Sequence, residues 1–186
     1  MTNPLFDRVL PADLADRAQV IEIEGEVGEF SRLAGIVEAD LATLTEGDRL
    51  RNWEAIPVTG RLAFEWVDAE RTLPAVRGRL TTRLAAVCQR CLEAFELPLD
   101  TAFDILFTGT SVAEQGLEDF DTWELGEDPV RLLDVVEEAL IMALPLAPVH
   151  ISGDACGPLA GRIPLDAPEK VRPFADLRSQ LEKANK

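Results

Sequence analysis

Residues 76 to 107 constrain this chain most, because two stretches of two-residue alternation flank the cysteine pair of "AAVCQRCLEAF" at 85 to 95. Before the cysteines, Val76, Leu80, Leu84 and Ala86 share one face, with Arg77, Arg79, Thr81 and Arg83 opposite. After them, Leu97, Leu99, Phe103, Ile105 and Phe107 share a face, with Asp100 and Asp104 opposite. A side-chain period of two marks a half-buried strand. The stretch therefore predicts an antiparallel hairpin with Cys88 and Cys91 in its turn.

The same period recurs in "VTGRLAFEW", where Val58, Leu62, Phe64 and Trp66 oppose Thr59, Arg61 and Glu65, and "QVIEIEGEV" at 19 to 27 reads as a further strand. Helical spacing through Leu33, Ile36, Val37 and Leu41 predicts a helix near 29–44. Residues 113–128 hold closely spaced carboxylates without periodicity and read as an acidic loop. Asp128 is then a fitting N-cap and Pro129 a fitting first residue for a helix over 129–144. Residues 157–172 are rich in Gly and Pro and read as extended, and 173–186 as a short amphipathic helix carrying Phe174, Leu177 and Leu181. The resulting expectation is a single α+β domain over 1–186. Its residues 19–112 are mainly an antiparallel β-sheet, curled toward a barrel, with packed helices and a Cys-x-x-Cys hairpin turn.

Composition narrows the function. The chain has 18 basic and 34 acidic residues among 186, a net charge of −16. Such an excess repels phosphate backbones, so broad nucleic-acid binding is disfavoured and a basic protein is the natural partner. The strip Arg77, Arg79, Arg83 and Arg90 is the candidate for direct RNA contact. Against that, oppositely charged rows on neighbouring strands pair with each other and need no ligand. In the acidic stretch, Glu118, Asp119, Asp121 and Glu124 are candidate contacts for a basic partner. The opening residues lack the basic start and apolar core of a secretory signal, and the longest apolar run, "ALIMALPLAPV", is too short to span a bilayer. A cytoplasmic location is expected, with no membrane association.

Three cysteines and one histidine remain to be explained. Thioredoxin-like pairs sit where a strand feeds a helix, which lowers the thiol pKa, whereas this pair is followed by a strand. A metal site uses the residues more completely: Cys88, Cys91, His150 and Cys156 form a four-ligand set suited to structural zinc. Metal-free thiols and a redox couple stay open as alternatives. No glycine-rich phosphate loop or nucleophile motif is present, so no enzyme and no small-molecule substrate are expected.

Laid out this way, the chain resembles the YceD family of large ribosomal RNA subunit accumulation proteins. The resemblance rests on "LTTRLAAVCQRCLEAFELPL", on "DPVRLLDVVEEALIMALPLAPVH", on the "DAC" that follows and on "RPFADLRSQLEK". These cover most of 76–181, while the first 75 residues match in general layout alone. The family's Cys-x-x-Cys falls on Cys88 and Cys91, and its later histidine and cysteine on His150 and Cys156. The resemblance implies a non-enzymatic role in synthesis, processing or accumulation of 23S ribosomal RNA. Partners would be a basic large-subunit ribosomal protein or the 23S precursor; a zinc-stabilised regulator unrelated to ribosomes is the remaining alternative.

Overall fold

Two long strands, β4 (Pro74–Val87) and β5 (Ala94–Thr108), pair antiparallel along their whole length and carry the site at their shared tip. In the computed structural model of the chain, the described residues are 4–109, 117, 120–125, 128–152 and 156. Around the central pair lie β2 (Val20–Glu26), β3 (Pro57–Trp66) and the short β6 (Asp121–Glu124), in the order β2-β3-β4-β5-β6. Registers such as Leu62↔Gly78 and Val76↔Ile105 put the alternating apolar residues on one face. Gly78 faces Phe103 across the ladder, and a Cβ added there would run into the Phe103 ring.

Three α-helices among the described residues pack with the sheet: α1 (Pro11–Asp16), α2 (Ser31–Leu41) and α3 (Leu132–Met142). Leu33, Val37 and Leu41 of α2 and Leu132, Val135, Val136 and Leu140 of α3 are buried in one cluster with Val58, Leu62, Val76, Leu80 and Ile105 of the sheet. Ile36, part of the apolar spacing that predicts the helix, is instead exposed. No described helix is long and apolar enough to cross a membrane.

Three expectations need correction. The sheet is open rather than barrel-like, because its apolar face is covered by α2 and α3 and its edge strands β2 and β6 do not pair with each other. Nor is it wholly antiparallel: β6 lies parallel to the end of β5. That strand falls inside the stretch 113–128 read as loop. Finally, the helix read over 129–144 begins at Leu132, and its N-cap position, Arg131, makes no side-chain cap. Val130 and Arg131 are drawn into a strand, β7, pairing with Arg8 and Val9 of β1 (Arg8–Val9), so the chain is extended where Asp128 and Pro129 would start a helix. Residues 157–172 and 173–186 lie outside the described residues.

Candidate metal centre

The tip of the β4–β5 hairpin closes through a tight turn. Cys88 N–H donates to the Glu93 carbonyl at 2.9 Å and Leu92 N–H to the Cys88 carbonyl at 2.8 Å. The reversal requires a left-handed residue, and Leu92 supplies it with φ of 59°, a conformation that costs a non-glycine residue about 1 kcal/mol. The segment leaving α3 is tied to this turn by Gln89 N–H donating to the Pro148 carbonyl at 2.9 Å. His150, two residues on, lies beside the cysteine pair, and Cys156 joins it there.

The four potential ligand atoms all lie within 4.8 Å of one another. Cys91 Sγ is 3.6 Å and Cys156 Sγ 3.5 Å from His150 Nδ1, and Cys88 Sγ is 4.0 Å from Cys156 Sγ. Metal–sulfur bonds of about 2.3 Å and metal–nitrogen bonds of about 2.0–2.1 Å at tetrahedral angles imply S···S edges of about 3.8 Å and S···N edges of about 3.6 Å. The donor set fits a tetrahedral ion of the zinc type. Cys88 and Cys91 are buried, in a small cluster with Ala86 and Phe95 separate from the main core. Phe95 also braces the histidine, ring centroids 4.5 Å apart.

Electrostatics prepare Cys88 for ligation. Burial pushes its thiol up, but the backbone N–H groups of Cys91, His150 and Arg90 and the Cys91 side chain together outweigh it and bring the pKa down to about 6. Burial and the neighbouring Cys88 and Cys91 thiols push Cys156 the other way, above its ordinary value. Cys88 is thus disposed to be thiolate near neutral pH, whereas Cys156 would have to give up its proton to hold a cation.

The remaining candidates are spread along the sheet. Arg77 bonds Glu65 and Asp104, Arg79 bonds Asp100 at 2.7 Å and Arg83 bonds Glu96 at 3.3 Å, so this row is paired across the strands. Arg90 stands apart at the tip, its guanidinium 3.8 Å from Cys156 Sγ. Asp121 and Glu124 are exposed on β6, while Glu118 and Asp119 lie outside the described residues. Since Asp121 pairs with Ile105, a rise of ~3.3 Å per residue puts β6 about 35 Å along β5 from the tip. Acidic surface and cysteine centre occupy opposite ends of one strand.

Sequence reasoning missed two residues here. Leu92 betrays itself only by following the second cysteine of a tight turn, and Glu137, one carboxylate among many in its stretch, is buried against α2.

The model of the family described as large ribosomal RNA subunit accumulation protein YceD matches residues 76–179, a span that includes the hairpin turn and all four potential ligands. The large ribosomal RNA subunit accumulation protein YceD of Haemophilus influenzae is 30% identical over 125 residues, covering 63% of this chain and 71% of that protein. No solved structure matches the chain. With more than half of its residues inside the family match, the chain belongs to the YceD family of large ribosomal RNA subunit accumulation proteins.

Proposed function

We propose that this protein supports accumulation of large-subunit ribosomal RNA as a non-catalytic assembly factor, holding a basic large-subunit ribosomal protein through its acidic surface. The name of the Haemophilus influenzae relative supplies the process. The observation that carries the choice of partner is the pairing of Arg77, Arg79 and Arg83 with carboxylates on adjacent strands. With those guanidinium groups neutralised, the sheet offers phosphate no free basic strip, and the net charge of −16 opposes a polyanion. A basic protein meets the opposite field and is attracted over several ångströms. Exposed Asp121 and Glu124 are its first candidate contacts, with Glu118 and Asp119 beside them in sequence.

The same reading makes the four-residue cluster a structural zinc site. Cys88, Cys91, His150 and Cys156 would complete the ion's coordination, leaving no open position for chemistry and fastening the hairpin tip to the segment after α3.

Affinity capture of the tagged protein from its own cell lysate, with and without ribonuclease, tests the proposal. Recovery of a basic large-subunit protein that survives nuclease, and is lost when Asp121 and Glu124 are both changed to Lys, is the expected result. Recovery of 23S precursor that vanishes with nuclease would overturn it and return the arginines to consideration.

A further inference from the structure

Leu92 combines two features that are unfavourable for a leucine. It holds a left-handed backbone conformation, φ 59°, in which a leucine is strained and a glycine or asparagine is not. Its side chain is also 60% exposed, directly after buried Cys91. Glycine would make the same turn without strain, and asparagine would make it without exposing apolar surface. Strain held at an exposed position points toward function rather than packing.

A second strongly exposed apolar residue belongs to the same knuckle. Ile151 is 87% exposed and follows His150, whose Nδ1 is 3.6 Å from Cys91 Sγ. Each of these two side chains is thus the immediate chain neighbour of a residue in the cluster. Val149 on the other side of His150 is exposed as well.

We propose that Leu92 and Ile151 form an apolar contact tip, held rigid by the Cys88, Cys91, His150 and Cys156 cluster, that seats in an apolar socket on the basic protein partner. This rests on the proposed function and adds a second contact, about 35 Å along β5 from the acidic end of the sheet. The chemistry of the tip favours protein over RNA. Single-stranded bases are gripped by aromatic rings and guanidinium groups, whereas this tip presents aliphatic side chains, and its exposed Arg90, 3.8 Å from the Cys156 sulfur, is offset by an exposed Glu93. A short aliphatic anchor beside a carboxylate suits a basic protein with an apolar pocket.

The test titrates the metal-replete protein against each purified protein of the large ribosomal subunit, comparing wild type with Leu92→Gly and Leu92→Asn, both of which accept the left-handed turn. Both Leu92 variants should keep the wild-type metal content, unfold at the wild-type urea midpoint or above it, and bind roughly tenfold or more weakly; Ile151→Ser should bind more weakly by a similar factor with its metal content unchanged. Unchanged affinity in the Leu92 variants overturns the tip and leaves the proposed function standing. Loss of metal from both variants also overturns it, by making Leu92 structural. A wild-type protein that binds none of the panel overturns the proposed function, and the tip with it.

Discussion

Glu137 of α3 caps α2 through Arg32, accepting its backbone N–H at Oε1 (2.7 Å) and its guanidinium at Oε2 (2.8 Å). Leu33 N–H lies 3.3 Å from the same Oε1. The first N–H groups of a helix have no partner within it, and the N-cap position of α2, Phe30, has no side-chain oxygen to offer. A carboxylate from another element supplies the acceptor and complements the positive end of the helix dipole. Burial without this arrangement would be costly for a charged group, and Glu137 is only 2% exposed.

Removing that carboxylate should therefore damage both helices at once. Glu137→Ala is expected to cost about 3 kcal/mol, since a buried acceptor of charge-assisted bonds is lost and two N–H groups are orphaned. Arg32→Ala should cost clearly less, because its half-exposed guanidinium is replaced by water while the backbone bonds survive. Urea unfolding of the two variants, with unchanged slope, checks the ordering; equal losses would mean that the cap contributes little.

Gly78 should tolerate no side chain. Its neighbour across the ladder is Phe103, and a methyl group would occupy the volume of the ring. Gly78→Ala is expected to destabilise the sheet by about 1–3 kcal/mol, the range for overpacking. Combining it with Phe103→Leu should recover part of the loss, a non-additivity that a urea double-mutant cycle reads directly.

The extent to which these features can be read from sequence follows their range along the chain. The hairpin and its charge pairing are local: period two puts Arg77 and Arg79 opposite Asp104 and Asp100, and the structure pairs them so. Cys88, Cys91, His150 and Cys156 could be grouped because the chain has no other cysteine or histidine. The Glu137 cap spans 105 residues and leaves no trace in spacing. The start of α3 was hidden for the same reason. A strand pairing with Arg8 and Val9 overrode a sound local capping signal at Asp128 and Pro129. The left-handed turn at Leu92 is signalled only by its place after the second cysteine, because leucine is the wrong residue for it.

Metal removal should act locally. The cluster around Cys88 and Cys91 is small and separate from the main core, so without an ion it buries little apolar surface of its own. Chelation, or Cys88→Ser, is expected to raise amide exchange across 86–95 and around His150 while the β3–β4 ladder near Leu62 and Leu80 keeps its protection. Zinc at one equivalent should restore the tip in the wild type. Global unfolding on chelation would contradict this separation.

Affinity for that ion should rise with pH, and two of the ligand sulfurs contribute to this differently. Cys156, held above its ordinary value, is protonated in the metal-free protein at neutral pH, so binding displaces its proton and affinity rises with pH. Cys88, brought down to about 6, is already largely thiolate at pH 7 and adds a second displaced proton only below that value. A plot of log affinity against pH should therefore steepen by about one unit as pH falls through about 6. Competition with a chromophoric chelator across pH 5 to 8 measures it, and the steepening should be smaller in Cys88→Ser.

The paired arginines yield the sharpest distinction between a structural row and a ligand strip. Arg79 and Asp100 sit diagonally across β4 and β5, bonded at 2.7 Å and 3.0 Å, and each favours the other's charged form: the Asp100 carboxyl is held below its ordinary value by the Arg79 guanidinium. If pairing is the function of the row, exchanging the two charges should be tolerated. Arg79→Asp or Asp100→Arg alone places like charges together and should lower the urea midpoint, whereas the double exchange should return it toward wild type. Capture of the basic partner should survive the exchange, since the local net charge is unchanged. A strip that binds phosphate depends on where its positive charges stand, so nuclease-sensitive capture of 23S precursor by the wild type that is lost in the stable double variant would restore the RNA reading of Arg77, Arg79 and Arg83.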